Sequence, residues 1–184
     1  MQWAGKTTAS ETILPEVLDC KEFVNADAIA AGLSPFQPET VAVEAGRLML
    51  NRIQHLLEMH VSFAIETTLA TKSYVHLVKQ AQSLGYTVTL LYFWLESPEL
   101  AKDRVATRVQ NGRHNIPLDV IERRYARGLW NFFHLYTKAA DNWSFYDNST
   151  GKAAAIAKKK MGLDKEIFLP YLWNEILKNH GTTK

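Results

Sequence analysis

At 184 residues, 47% hydrophobic and 22% charged, the chain has the makings of one globular domain, or of one domain with a helical appendage. Its net charge of +2 gives no bulk electrostatic reason to bind nucleic acid, and no apolar run reaches the roughly 18 residues of a membrane span. Cys20 is the single cysteine, which excludes an intrachain disulfide, and the amino terminus lacks a secretory layout, so the expected location is cytoplasmic.

The first informative segment is Ala4-Gly5-Lys6-Thr7-Thr8. It reads as the second half of the phosphate-binding pattern G-x-x-x-x-G-K-[ST]. Gly5 to Thr8 would bind nucleotide, with Lys6 reaching the β- and γ-phosphates and the Thr7 hydroxyl holding Mg²⁺. A chance Gly-Lys-Thr-Thr at a helix start is the competing reading. The pattern's first glycine falls one position before Met1, so the strand that feeds such a loop is expected to be missing.

Further along, short apolar or β-branched runs alternate with amphipathic stretches, the pattern of an α/β domain with a mostly parallel sheet. The predicted strands are Glu22 to Asn25, Val61 to Ile65, Thr87 to Leu95 and Trp143 to Tyr146; the third is apolar enough to be buried on both faces. A helix starts near Lys6. Others run from about Pro38 to His60 (core positions Val41, Ala45, Leu48, Ile53 and Leu56 or Leu57), from Lys72 to Leu84, from Pro98 to Gln110, and from Pro117 to about Ala140. Residues 1–150 form the main domain, and 151–184 a helical extension in which Lys158 to Lys160 are a solvated face.

Ligands in open α/β sheets bind beyond the carboxyl ends of the strands. Asp27, in Asn25-Ala26-Asp27 after the first strand, suits a general base, and suits equally an N-cap for a helix starting at Ala28. Glu66, after the second strand in Ile65-Glu66-Thr67-Thr68, suits magnesium held through water or a substrate hydroxyl, with Thr67 or Thr68 adding a contact; helix capping by a threonine competes. Arg104, Arg108, Arg113, His114, Arg123, Arg124 and Arg127 form a basic band around a joint at 110–117 that resembles a lid. Arg104 and Arg113 are the stronger candidates for stabilising a transferring phosphoryl group, and His114 fits a polar contact. Trp130, Phe132, Phe133, Tyr136, Trp143 and Tyr146 read as core rather than as a base-stacking platform.

In order, AGKTT, EFVNADAIAAGLSPFQPE, EAGRLM, SFAIETTL, LLYFWLESPELA, RVQNGRHNIP, RRYARGLWNFFHLY and WSFYDNS resemble the zeta-toxin-like P-loop kinases over Ala4 to about Ser149. The resemblance implies a three-layer P-loop fold, binding of ATP with Mg²⁺, and phosphoryl transfer to a small-molecule hydroxyl, in characterised toxins a UDP-N-acetyl sugar. It implies phosphate contact by Lys6, magnesium ligation by Thr7 and a catalytic base at Asp27. It also implies substrate contacts at Glu66 and Thr68, and transfer-stabilising groups at Arg104 and near Arg113-His114. An arginine that the toxins carry after the Glu66 position is Ala70 here, so sugar-nucleotide specificity does not carry over. The rival expectation is an inactive, truncated domain that binds an antitoxin-like partner or self-associates at an open sheet edge.

Overall fold

The computed structural model describes residues 20–110 and 116–181. Gly5, Lys6, Thr7, Thr8, Arg113, His114 and the helix expected from Lys6 lie outside those residues.

The chain enters on β1 (Glu22–Val24) and passes into α1 (Ala26–Leu33). A 3-10 turn at Pro38–Val41 leads into α2 (Ala42–Glu58), then β2 (Phe63–Ile65), α3 (Tyr74–Ser83) and β3 (Thr89–Trp94). α4 (Pro98–Gln110) and α5 (Leu118–Asn131) follow; α5 continues through a π-helical turn at Phe132–Tyr136 and a last turn at Thr137–Ala139. The chain closes with β4 (Asn142–Asp147), β5 (Ala154–Lys159), β6 (Glu166–Ile167) and α6 (Pro170–Ile176). On α2 the buried stripe is Ala45, Met49, Ile53, Leu56 and Leu57. Met49 takes the place expected for Leu48, because a spacing of four, four and three keeps one face inward where Leu48 would rotate out.

Among the described residues the strands form two sheets that share no ladder. β1 pairs with β2 in parallel, Phe23 opposite Ala64. β3 pairs with β4 in parallel over six residues, and β5 and β6 add antiparallel strands in the order β3-β4-β5-β6. Across α3, the Tyr86 hydroxyl just before β3 donates to the Val61 carbonyl just before β2 at 3.2 Å, which sets the amino ends of the two strands together. Among the described residues no ladder bond links β2 and β3. The first half of β3 is not buried on both faces as expected: Thr89 is exposed and Leu90 and Leu91 are half-buried, whereas Tyr92, Phe93 and Trp94 are buried.

Side chains bridge what the ladders do not. Gln82 Nε2 donates to the Ala139 carbonyl at 2.9 Å and to Asp141 Oδ1 at 3.0 Å, and Asp141 Oδ2 accepts from the Val88 amide at 2.7 Å. The main core fills the other half of the molecule. Phe132 packs 4.8 Å from both Tyr92 and Phe145, and Trp143 stacks on Trp173 of α6. The aromatic cluster is therefore core, except Trp130, which stays 39% exposed.

The carboxyl-terminal segment departs from the helical expectation. Ala154–Lys159 is a strand beside β4, with Ile156 and Ala157 buried, and Trp173 and Ile176 belong to the main core. Alanine and lysine suit a helix by propensity, but the open edge of β4 offers a row of backbone partners, and tertiary pairing overrides that weak preference. Lys158 is accordingly a strand residue, paired with Glu166 at 2.7 Å.

Candidate functional site

β1 and β2 end side by side, and Asn25 joins their ends. Its Oδ1 accepts from the amides of Asp27 (2.8 Å) and Ala28 (3.2 Å), so Asn25, not Asp27, caps α1. An asparagine in extended backbone immediately before a helix places its side chain over the orphan amides. Asn25 Nδ2 then donates to Glu66 Oε2 at 2.9 Å. Asn25 is buried, and one planar amide holds both the start of α1 and the carboxylate that follows β2. Capping by Asn25 leaves the Asp27 side chain exposed in the first turn of α1.

The loop after β2 is tightly built. Thr67 Oγ1 accepts from the Leu69 amide (3.1 Å) and Thr68 Oγ1 from the Ala70 amide (3.3 Å). Leu69 sits at φ 57°, a left-handed conformation that costs a leucine roughly 1–2 kcal/mol, and it is buried. The π-helical turn explains how that conformation is held. Its extra residue per turn brings positions five apart onto one face. Asn131 Nδ2 therefore donates to the Leu69 carbonyl at 2.8 Å while the Tyr136 hydroxyl donates to the Thr71 carbonyl at 2.6 Å. Burial pushes the Tyr136 hydroxyl up to about 12, so it remains a donor throughout the neutral range.

In the other sheet, the ends of β3 and β4 are knitted together. The Asn148 amide donates to the Trp94 carbonyl (2.9 Å), Ser149 Oγ accepts from the Glu96 amide (2.9 Å), and the Tyr125 hydroxyl donates to the Leu95 carbonyl (2.7 Å). Arg104 reaches this rim from α4, and its Nη2 donates to the carbonyls of Asn148 (2.7 Å) and Ser149 (2.8 Å). Burial lowers the Arg104 pKa from its ordinary value and nearby Asp147 opposes the shift, so the guanidinium stays cationic. Arg123 is exposed on α5.

Asp27, Glu66 and Thr68 thus follow the carboxyl ends of β1 and β2, while Arg104 is bonded to the carbonyls beyond the carboxyl end of β4. Asn25 and Asn131 were not singled out from sequence, and Tyr136 was read there only as core. Asn25 had a legible signal, a capping residue directly after a strand; the other two depend on the π-helical turn, which leaves no mark in the sequence. Among the described residues no three His, Cys, Asp or Glu side chains cluster as a metal-binding group.

The sequence profile of the family named Zeta toxin matches residues 4–154. The chain belongs to that family. An uncharacterised protein of Haemophilus influenzae is 29% identical over 102 residues, covering 55% of this chain and 73% of that protein. Among solved structures, the fold is similar to AvrRxo1-ORF1 in its complex with ORF2 and ATP, with a TM-score of 0.72 at 16% identity over 95% of this chain. It is also similar to the PezAT chromosomal toxin–antitoxin system of Streptococcus pneumoniae, with a TM-score of 0.69 at 15% identity over 98% of this chain. This chain spans 60% of the AvrRxo1 chain and 75% of the PezAT chain. The likeness establishes the α/β P-loop type of fold. Among the described residues no helix is long and apolar enough to cross a membrane.

Proposed function

We propose that this zeta toxin family member is an ATP-dependent phosphotransferase acting on a hydroxyl group of a small molecule. The observation that carries the reading is the link from Asn25 to Glu66, which fixes two carboxylate-bearing segments on adjacent strand ends at the rim where α/β folds bind ligands. Asp27, exposed in the first turn of α1, accepts the proton of the attacking hydroxyl. Glu66, oriented by Asn25, and Thr68 hold the acceptor. Gly5, Lys6, Thr7 and Thr8 supply the phosphate loop, with Lys6 on the β- and γ-phosphates. Arg104 and Arg113 offset charge on the transferring group, and His114 contacts the acceptor.

The donor set suits a hard cation, since Asp27, Glu66 and the Thr7 hydroxyl offer oxygen alone. Bound there with Thr7 as protein ligand, Mg²⁺ would neutralise phosphate charge.

The test is transfer of labelled γ-phosphate from ATP to a panel of hydroxyl-bearing metabolites. Asp27→Asn should slow transfer by about 10²- to 10⁴-fold while leaving ATP binding intact. An unchanged rate would remove Asp27 from the chemistry. A second reading, a binding domain that engages an antitoxin-like protein, draws support from the toxin–antitoxin assemblies among the similar structures. Micromolar Mg·ATP binding favours the enzyme, and millimolar or weaker binding the partner domain.

A further inference from the structure

At the amino end of β4, away from the strand ends that carry Asp27, Glu66 and Arg104, the surface holds an open hollow of about 410 Å³. Trp143, which is buried, forms its floor. Three lysines surround it, each from a different part of the chain: Lys138 from the last helical turn before β4, Lys159 from the end of β5, and Lys165 from the connection between β5 and β6. Asn148, whose carbonyl receives Arg104, lies five residues further along the chain from Trp143, roughly 16 Å away in extended backbone. We propose that this hollow binds a phosphate dianion, free or as the ester group of a small molecule, at a site separate from the one assigned to phosphoryl transfer.

The donors select the ligand. Lys138 and Lys159 are exposed and make no ion pair among the described residues. Lys165 Nζ lies 5.0 Å from the centre of the Trp173 ring, which stacks on Trp143. An ammonium group offers donors and no acceptor, and the Trp143 Nε1 atom is a further donor, buried with no hydrogen-bond partner among the described residues. The Thr137 hydroxyl is committed to the Phe133 carbonyl at 2.9 Å. Asp164 is the one carboxylate in the lining, so the hollow carries a net charge of +2. Three ammonium groups around one space repel each other until an anion lies between them, and a phosphate monoester near neutral pH brings close to two negative charges. Lysines act as point charges suited to tetrahedral phosphate oxygens, whereas a carboxylate is best held by the arginine fork, and the lining contains no arginine. In Mg·ATP the metal already shares the terminal phosphate oxygens, so the nucleotide complex is not the ligand. The inference does not depend on phosphoryl transfer.

The probe is inorganic phosphate, titrated without magnesium at low ionic strength into the uniformly labelled full chain. Resonances of the Trp143 indole N–H and of the Lys159 and Lys165 amides report binding. Saturating shifts are expected, with a dissociation constant of about 1 mM or tighter. Glycerol 3-phosphate carries the same dianion as an ester: tighter binding than inorganic phosphate identifies an ester as the ligand, and weaker binding identifies free phosphate. Lys138→Gln and Lys159→Gln should each weaken binding by about three- to tenfold, and Asp164→Asn should tighten it by about two- to fivefold. Lys79→Gln, an equal loss of charge on α3, should bind as the parent does, and circular dichroism checks that each variant is folded. The proposal is overturned by shifts that grow without saturating, by equal binding of acetate, or by equal affinity of the Lys79→Gln and Lys159→Gln proteins. Weaker binding in Asp164→Asn overturns it too. The Asn25 side-chain amide reports the site assigned to phosphoryl transfer, so failure at either place is read independently.

Discussion

The two sheets are built differently. β3 and β4 pair over six residues, carry stacked aromatics across the ladder (Tyr92 on Phe145, Phe93 on Tyr146), and are backed by Phe132, Trp143 and Trp173. β1 and β2 pair over three residues, and their core is Val24 with the aliphatic stripe of α2 and Ala81. The first half has the area to hold the fold; the second carries Asp27 and Glu66. The catalytic candidates therefore stand on the weaker half, held by polar links to the stronger one.

Substitutions should expose the asymmetry, beginning with the largest effect. Phe132→Ala removes a fully buried ring from the centre of the aromatic half and should cost about 3–5 kcal/mol, read by denaturant unfolding. A loss below 1 kcal/mol would mean that the centre of stability lies elsewhere. Asn131→Ala leaves the Leu69 carbonyl without its buried donor and should cost about 1–3 kcal/mol. Its second signature is faster hydrogen exchange confined to residues 66–71. Exchange that rises evenly over the whole chain would show that Asn131 does not act through that loop.

Asn25 divides into two functions that substitution can separate. Asn25→Ala removes both the cap and the Glu66 link and should cost about 1–2 kcal/mol. Asn25→Asp keeps a capping oxygen but sets a carboxylate against Glu66, so it should retain α1 while disturbing Glu66 and transfer. If both variants lose the same activity and stability, the cap alone accounts for Asn25. The smallest expected effect is with pH. Burial raises the Tyr125 hydroxyl to about 12 and does the same to Tyr136, against an ordinary value near 10. Both hydroxyls are neutral at lower pH, so the stability they protect is complete below about pH 10 and declines as pH rises from there toward 12. Replacing Tyr136 with Phe should flatten part of that decline in an alkaline unfolding series.

Much of this was readable in the residues, and the exceptions share a cause. Strands Glu22–Val24, Phe63–Ile65 and Thr89–Trp94 stand where apolar runs predicted them, because burial sets those positions from local pattern alone. Asp27 and Glu66 were legible because each follows a strand directly. Ala154–Lys159 was not, since an Ala- and Lys-rich segment becomes a strand only when β4 offers an edge to pair with. Leu69, Asn131 and Tyr136 form their cluster across more than sixty residues of chain through a π-helical turn, and no local pattern announces that.

The central proposal is that phosphoryl transfer from ATP takes place beside Asp27 and Glu66, at the carboxyl ends of β1 and β2. Its most direct test is a nuclear magnetic resonance titration of the uniformly labelled chain with Mg·ATP. Saturating shifts are expected at the Asn25 side-chain amide and at the backbone amides of Asp27, Glu66 and Thr68, with little change along β5 and β6. Shifts confined to β5, β6 and α6, or none at all at millimolar nucleotide, would contradict it.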